Sequence, residues 1–185
     1  LRKRRRHFPL SRAVLLTAAF LVPTAFAQTA PSTGALPTGG QVAAGRVTLA
    51  QTGAPNAPTL TITQSSDRAI VNWAGFDVGR DATVRFVQPS ASSAILNRVV
   101  GADPSRVYGQ LQANGQVFLV NPNGVYFSPT SSVDVGSFVA STLAIADADF
   151  MAGRLSFRRD GATGTIVNEG AIRSSLGGYV ALLAP

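Results

Sequence analysis

The sequence predicts an all-β protein wound as a β-solenoid, and three observations carry that expectation. From Val42 onward, short runs rich in β-branched and aromatic residues are split by Gly, Pro, Asn, Asp and Ser, giving thirteen short strands in about 140 residues. Gly115-Gln-Val-Phe-Leu-Val-Asn-Pro122 returns as Gly178-Tyr-Val-Ala-Leu-Leu-Ala-Pro185, with Gly, Val, Leu and Pro at the same four positions. The offset of 63 residues reads as three units of about 21, a solenoid repeat length. Ile166-Val-Asn-Glu-Gly-Ala-Ile172 sets Asn and Gly between apolar residues, as Val120-Asn-Pro-Asn-Gly-Val125 does. A coil needs that layout: apolar residues inside, and corner residues that tolerate unusual backbone and can ladder between coils. The residues alone leave a β-sandwich of hairpins as the competing architecture.

The strands are expected at Arg46–Ala50, Leu60–Thr63, Ala69–Trp73, Thr83–Gln88, Ala94–Val100, Val117–Val120 and Val125–Phe127. The series continues at Val133–Val135, Ser137–Leu143, Arg154–Phe157, Thr165–Asn168, Ala171–Arg173 and Tyr179–Leu183. One helix of a turn or two is expected around Ala144–Met151, ended by Gly153. The centre of the pattern is Asn114–Phe127. There the apolar run Val117–Val120 lies between two Asn-Gly dipeptides, which favour tight turns. Pro122 has no amide hydrogen, so the strand must stop near Asn121. Val125–Phe127 starts the next strand, closed by Ser128 and Pro129. An unbroken apolar run suits a strand covered on both faces.

Residues 1–27 read as a secretory leader. Arg2, Lys3, Arg4, Arg5, Arg6 and Arg12 make a basic region, Ala13–Val22 an apolar one, and Ala25-Phe26-Ala27 a small-x-small cleavage site before Gln28. Ten apolar residues fall short of the ~20 that span a bilayer. The first residue, Leu rather than Met, points to an unusual start codon or a trimmed N-terminus. Residues 28–40, rich in Pro, Thr, Ser, Gly and Ala, read as a flexible lead-in, and residues 41–185 as one domain.

Removing the leader changes the charge argument. Of 16 Lys and Arg residues six lie in residues 1–27, leaving ten against nine acidic residues, a net of about +1. The high pI is therefore a property of the leader, and no nucleic-acid partner is expected. Arg158 and Arg159 read as solvated loop residues. Cysteine is absent, so burial and backbone pairing must hold the fold, and nothing would tie the chain covalently while it crossed a membrane unfolded.

The residue inventory also bears on catalysis. With no Cys, and His7 and Lys3 confined to the leader, residues 28–185 hold no Ser-His-Asp triad, Cys nucleophile, His-based metal site or phosphate loop with Lys. Asp147 and Asp149 are the nearest carboxylate pair for acid–base work and read as solvated turn residues. No enzyme activity, metal or cofactor is expected.

Several stretches together resemble one family. They are Ala69-Ile-Val-Asn-Trp-Ala-Gly-Phe-Asp-Val-Gly79, Val84-Arg-Phe-Val-Gln-Pro-Ser90, Leu96-Asn-Arg-Val99, Asn114–Val125 with its Asn-Pro-Asn-Gly core, and Phe138-Val-Ala-Ser-Thr-Leu143. In this order and spacing they are similar to the N-terminal secretion domain, or haemagglutination activity domain, of filamentous-haemagglutinin-like exoproteins of two-partner secretion. The resemblance covers roughly Gly40 to the end. It implies a right-handed parallel β-helix with an N-terminal cap, Phe76, Phe86 and Phe118 in the core, and Trp73 packing near the cap. It also implies that family members continue past the position of Pro185 into further coils and a long passenger.

The function implied by the resemblance is export. The expected route is through the general secretion machinery to the periplasm, then through a cognate outer-membrane β-barrel transporter that recognises the chain with its periplasmic domains, to folding at the surface of a Gram-negative cell. The positions matching the family's secretion motifs are Asn97 and Arg98, and Asn121, Pro122, Asn123 and Gly124. They serve either transporter recognition or, as corner amides, folding. The alternative reading is a β-helical carbohydrate-binding adhesin or polysaccharide lyase module. Host glycan or receptor contact is expected only through the passenger.

Overall fold

A computed structural model describes residues 29–185. The leader and the cleavage point between Ala27 and Gln28 lie outside the described residues. The first strands are β1 (Gln41–Ala44), β2 (Val47–Ala54), β3 (Ala57–Gln64), β4 (Arg68–Trp73), β5 (Thr83–Val87) and β6 (Ala94–Val99). Next come β7 (Ser105–Val107), β8 (Gln110–Ala113), β9 (Gln116–Val120), β10 (Val125–Phe127), β11 (Ser132–Val135) and β12 (Ser137–Ser141). An inserted segment follows, with β13 (Ala144–Ile145), the helix α1 (Asp147–Met151) and β14 (Phe157–Arg158). The last three strands are β15 (Ile166–Asn168), β16 (Ala171–Ser174) and β17 (Val180–Leu183).

The pairing is that of a three-faced solenoid. β4, β6, β9, β12 and β17 stack in parallel on one face, and β3, β5, β8, β11 and β16 on the second. The third face holds β7, β10 and β15, also parallel. The chain visits the faces in rotation, so each coil lies on the one before it. Parallel strands cannot be joined by hairpins, which removes the sandwich alternative. Outside the insertion, where β13 and β14 pair antiparallel, the first coil departs from the rule: β1 pairs antiparallel with β4, and β2 antiparallel with β3. Both large sheets are thus closed on that side by strands running the other way.

The alternation of side chains along each strand sorts the apolar residues into two clusters. Inside the solenoid lie Val71, Val84, Phe86, Ile95, Leu111, Val117, Leu119, Phe127 and Phe138, with Trp73 edge-on to Phe76 at 5.7 Å. On the outer side of the first face, Ile70, Leu96, Phe118, Val120 and Val139 are buried by Ile145 and Phe150 of the insertion. This explains the unbroken run in β9: Val117 and Leu119 point in, Phe118 and Val120 out, and all are buried. All three expected core phenylalanines are buried, Phe76 and Phe86 in the inner cluster and Phe118 in the outer one.

Four expectations need correction. The 63-residue offset spans two coils, not three. Phe138 sits between Val117 and Val180 in the stack, so one coil takes 21 residues (117 to 138) and the next 42 (138 to 180). The second is longer because it carries the insertion. The missing copy is Gly136, stacked on Gly115 and under Gly178 so closely that an added Cβ at Gly136 would stand 2.6 Å from the Gly115 carbonyl oxygen. The lead-in is also tied down. Thr38 pairs with Gly75, the amides of Gly79 and Asp81 donate to the carbonyls of Ala35 and Thr33, and Leu36 packs on the core. Ser32 and Thr33 lie so close to Gly79 that a side chain there would strike their carbonyls. The expected helix begins three residues late, because Ala144 and Ile145 pair with Arg158 and Phe157; Gly153 ends it at φ +78° as its position implied. Finally, Arg154–Phe157 is not a strand, for only Phe157 and Arg158 find a partner.

Candidate functional site

Asn121 to Gly124 form the corner between β9 and β10. Pro122 stops the ladder, and the amide of Asn123 donates to the Asn121 Oδ1 at 3.0 Å, closing a small side-chain turn. Gly124 completes it at φ +120°, a conformation that disfavours a Cβ. The corner is held from both neighbours in the stack. Asn121 Nδ2 donates to the Asp103 carbonyl and to Ser105 Oγ, both at 3.0 Å, and Asn123 Nδ2 to the Gly101 carbonyl at 2.9 Å. On the other side the Gly164 amide donates to the Pro122 carbonyl, and Val125 to that of Thr165. Asn121 and Gly124 are buried, Pro122 and Asn123 exposed.

Asn97 is not a corner residue. It lies in the middle of β6, stacked between Val71 and Leu119, and points into the solenoid with no exposed surface. There the Trp73 indole donates to its Oδ1 at 3.1 Å, and its Nδ2 donates to the Phe118 carbonyl at 3.2 Å. One amide therefore links three successive coils through the core. A buried amide without partners would be costly, and both ends of this one are satisfied.

Arg98, the next residue, points the other way. Its guanidinium pairs with Asp147 at 2.6 Å and donates to the Ile145 carbonyl at 2.8 Å, both in the insertion. The positions read together in the sequence thus form a corner, an interior pin and an outer anchor, rather than one surface. Sequence reasoning missed their partners, Trp73, Asp103, Ser105 and Asp147. The visible signal was Trp73, which comes one coil before Asn97 on the same apolar pattern and carries an N–H that must be satisfied when buried.

The carboxylates weighed for acid–base chemistry sit in the first turn of α1, not in a turn between strands. Each has its own arginine, Asp147 with Arg98 and Asp149 with Arg154 at 2.8 Å. Both carboxylates also line a cleft of about 580 Å³, where Arg98, Arg158 and Arg159 face Asp147, Asp149 and Asp160, so its charges are balanced. Among the described residues no group of three His, Cys, Asp or Glu is placed to hold a metal ion. No described helix is long and apolar enough to cross a membrane.

On the third face Arg106 forks onto Asp77 at 2.6 Å, and Tyr126 donates to Glu169 at 2.5 Å. The bond to Glu169, with the nearby negative charge, pushes the Tyr126 phenol up to about 12. Burial raises Tyr179 as well.

Comparison with known proteins agrees with this architecture. The structure is similar to the crystal structure of the HMW1 secretion domain from Haemophilus influenzae, with a TM-score of 0.71 and 32% sequence identity over 79% of this chain and 38% of that one. The sequence is 40% identical over 98 residues to a heme/hemopexin-binding protein of Haemophilus influenzae, covering 53% of this chain and 10% of that protein. The heme/hemopexin-binding protein of strain Rd is 36% identical over 107 residues, covering 58% of this chain and 11% of that one. The chain thus spans about a tenth of the length of these relatives. The family model that matches, over residues 28–185, is the TPS secretion domain. By this match the chain belongs to the family of two-partner secretion domains.

Proposed function

We propose that this chain brings a large exoprotein to its cognate outer-membrane β-barrel transporter and starts the folding of a right-handed β-helix at the cell surface. The observation that carries the reading is the match to the secretion-domain family over residues 28–185. The fold supports it. Antiparallel strands close both large sheets at the first coil, so folding has a built-in beginning and each later coil finds a template. Each coil buries apolar surface, which opposes backsliding without any nucleotide. The right-handed sense rests on the rule that governs parallel crossovers.

Residues 1–27 act as a signal that routes the chain through the general secretion machinery and is removed before Gln28. Recognition by the transporter precedes folding, since Asn97 and Asn121 are wholly buried afterwards. Of the motif positions only Pro122 and Asn123 stay exposed in the folded domain. Adhesion, or any binding of the kind named in the relatives, belongs to a passenger. The test is export of the chain with and without its transporter. Transporter-dependent appearance in the medium, beginning at Gln28, is the expected result. Release that ignores the transporter overturns the reading.

A further inference from the structure

The insertion between β12 and β15 has an arrangement that the stacking of coils does not require. Its strands and helix lie across the outer side of the first face, where Ile145 and Phe150 close over Ile70, Ala94, Leu96, Phe118, Val120 and Val139. The Phe150 ring meets Phe118 edge-on at 5.2 Å. Those six residues come from β4, β6, β9 and β12, four successive coils.

Two arginines fasten the insertion to the oldest part of the stack. Arg68, the first residue of β4, donates to the Phe150 carbonyl at 3.2 Å and stands 5.5 Å from the centre of the same ring. That carbonyl lies at the C-terminal end of α1, where a cation is favoured. Arg98 of β6 holds the other end through Asp147 and the Ile145 carbonyl. The partners are 82 and 47 residues apart in sequence. Such contacts cannot form until β4, β6, β9 and β12 are aligned, because the surface they fasten to does not exist before.

We infer that residues 144–158 are a clasp that closes only over finished coils and converts a reversible stack into one that does not unwind. The inference concerns folding in solution and stands apart from the secretion reading. Contacts made after the rate-limiting step slow unfolding and leave folding nearly unchanged. The ion pair is partly exposed, Arg98 at 22% and Asp147 at 52%, so the half-buried carbonyl bonds and the buried Phe150 ring carry more of the effect than the charges do.

The test is stopped-flow folding and unfolding of the full exported chain, followed by the fluorescence of Trp73, its one tryptophan. Arg68→Gln, Arg98→Gln and the double variant are compared with the parent. Each single change is expected to speed unfolding by about tenfold with refolding altered less than about twofold. Refolding slowed by the same factor, or unfolding left unchanged, overturns the proposal. If a variant does not fold, hydrogen exchange of the unaltered chain decides. The amides of Phe150, Ala152 and Gly153, bonded within α1, should open while those of β9 stay protected. Exchange of both sets only in a single global step overturns it.

Discussion

Asn97 and Asn121 are the same side chain, equally buried, in two very different places. The first sits in the wall of an apolar core and reaches Trp73 and Phe118 in adjoining coils. The second sits at a corner and collects the carbonyl of Asp103, the hydroxyl of Ser105 and the amide of Asn123. Water can replace a corner bond, because Pro122 and Asn123 beside it are exposed. It cannot enter the packed interior around Asn97. The difference shows that an amide in a solenoid can align coils from within as well as turn the chain at an edge.

Substitutions break the comparison in a definite order. Asn97→Ala leaves the Trp73 N–H unpaired in the core and opens a small void, which should cost about 3 kcal/mol in denaturant unfolding. Asn121→Ala should cost about 2 kcal/mol by the same measurement, with water restoring part of the loss. A larger effect for Asn121 would mean that the corner, not the interior, governs the register. Gly124→Ala places a Cβ at φ +120° and 3.0 Å from the Thr165 carbonyl oxygen, and should cost about 1.5 kcal/mol. Asn123→Ala removes an exposed bond to Gly101 and a longer one to the Asn121 Oδ1, and should cost about 0.5 kcal/mol. Loss of export from Asn123→Ala with stability kept would separate recognition from folding.

The smallest expected effect lies on the third face. The Tyr126 phenol is raised from 10 to about 12, so the bond to Glu169 favours its neutral form. Its contribution to stability is present in full below the unfolded value near 10 and is lost as pH rises towards 12. Ultraviolet titration of the phenols should show Tyr126 and Tyr179 both titrating late, and Glu169→Gln should bring only the Tyr126 step down. A titration unaffected by Glu169→Gln would remove the bond as its cause.

Much of this fold was legible. Val125–Phe127 forms a strand of those bounds, and the Pro122 stop and the Gly153 helix end lie where their backbone chemistry requires. What escaped was short or polar. β7 and β8 carry Ser105, Arg106, Gln110 and Gln112, which read as loop because their strands are stabilised by neighbours above and below rather than by their own propensity. β1 was missed for the same reason, as an exposed edge held by β4. The motif positions could be named from the sequence, but their geometry could not. Alternation along β6 sends Asn97 inward and Arg98 outward, and only the strand register reveals which side each faces.

The coil that grows from 21 to 42 residues has a practical side. A stack that absorbs a whole extra segment between two strands, with no change in the pairing of β12 and β17, already contains a tolerated graft point. Thr163 lies exposed just past that segment, and the chain has no cysteine of its own. A single thiol placed there would be unique in the molecule. A dye or cross-linker attached to it could mark the moment at which this part of the chain reaches the outside.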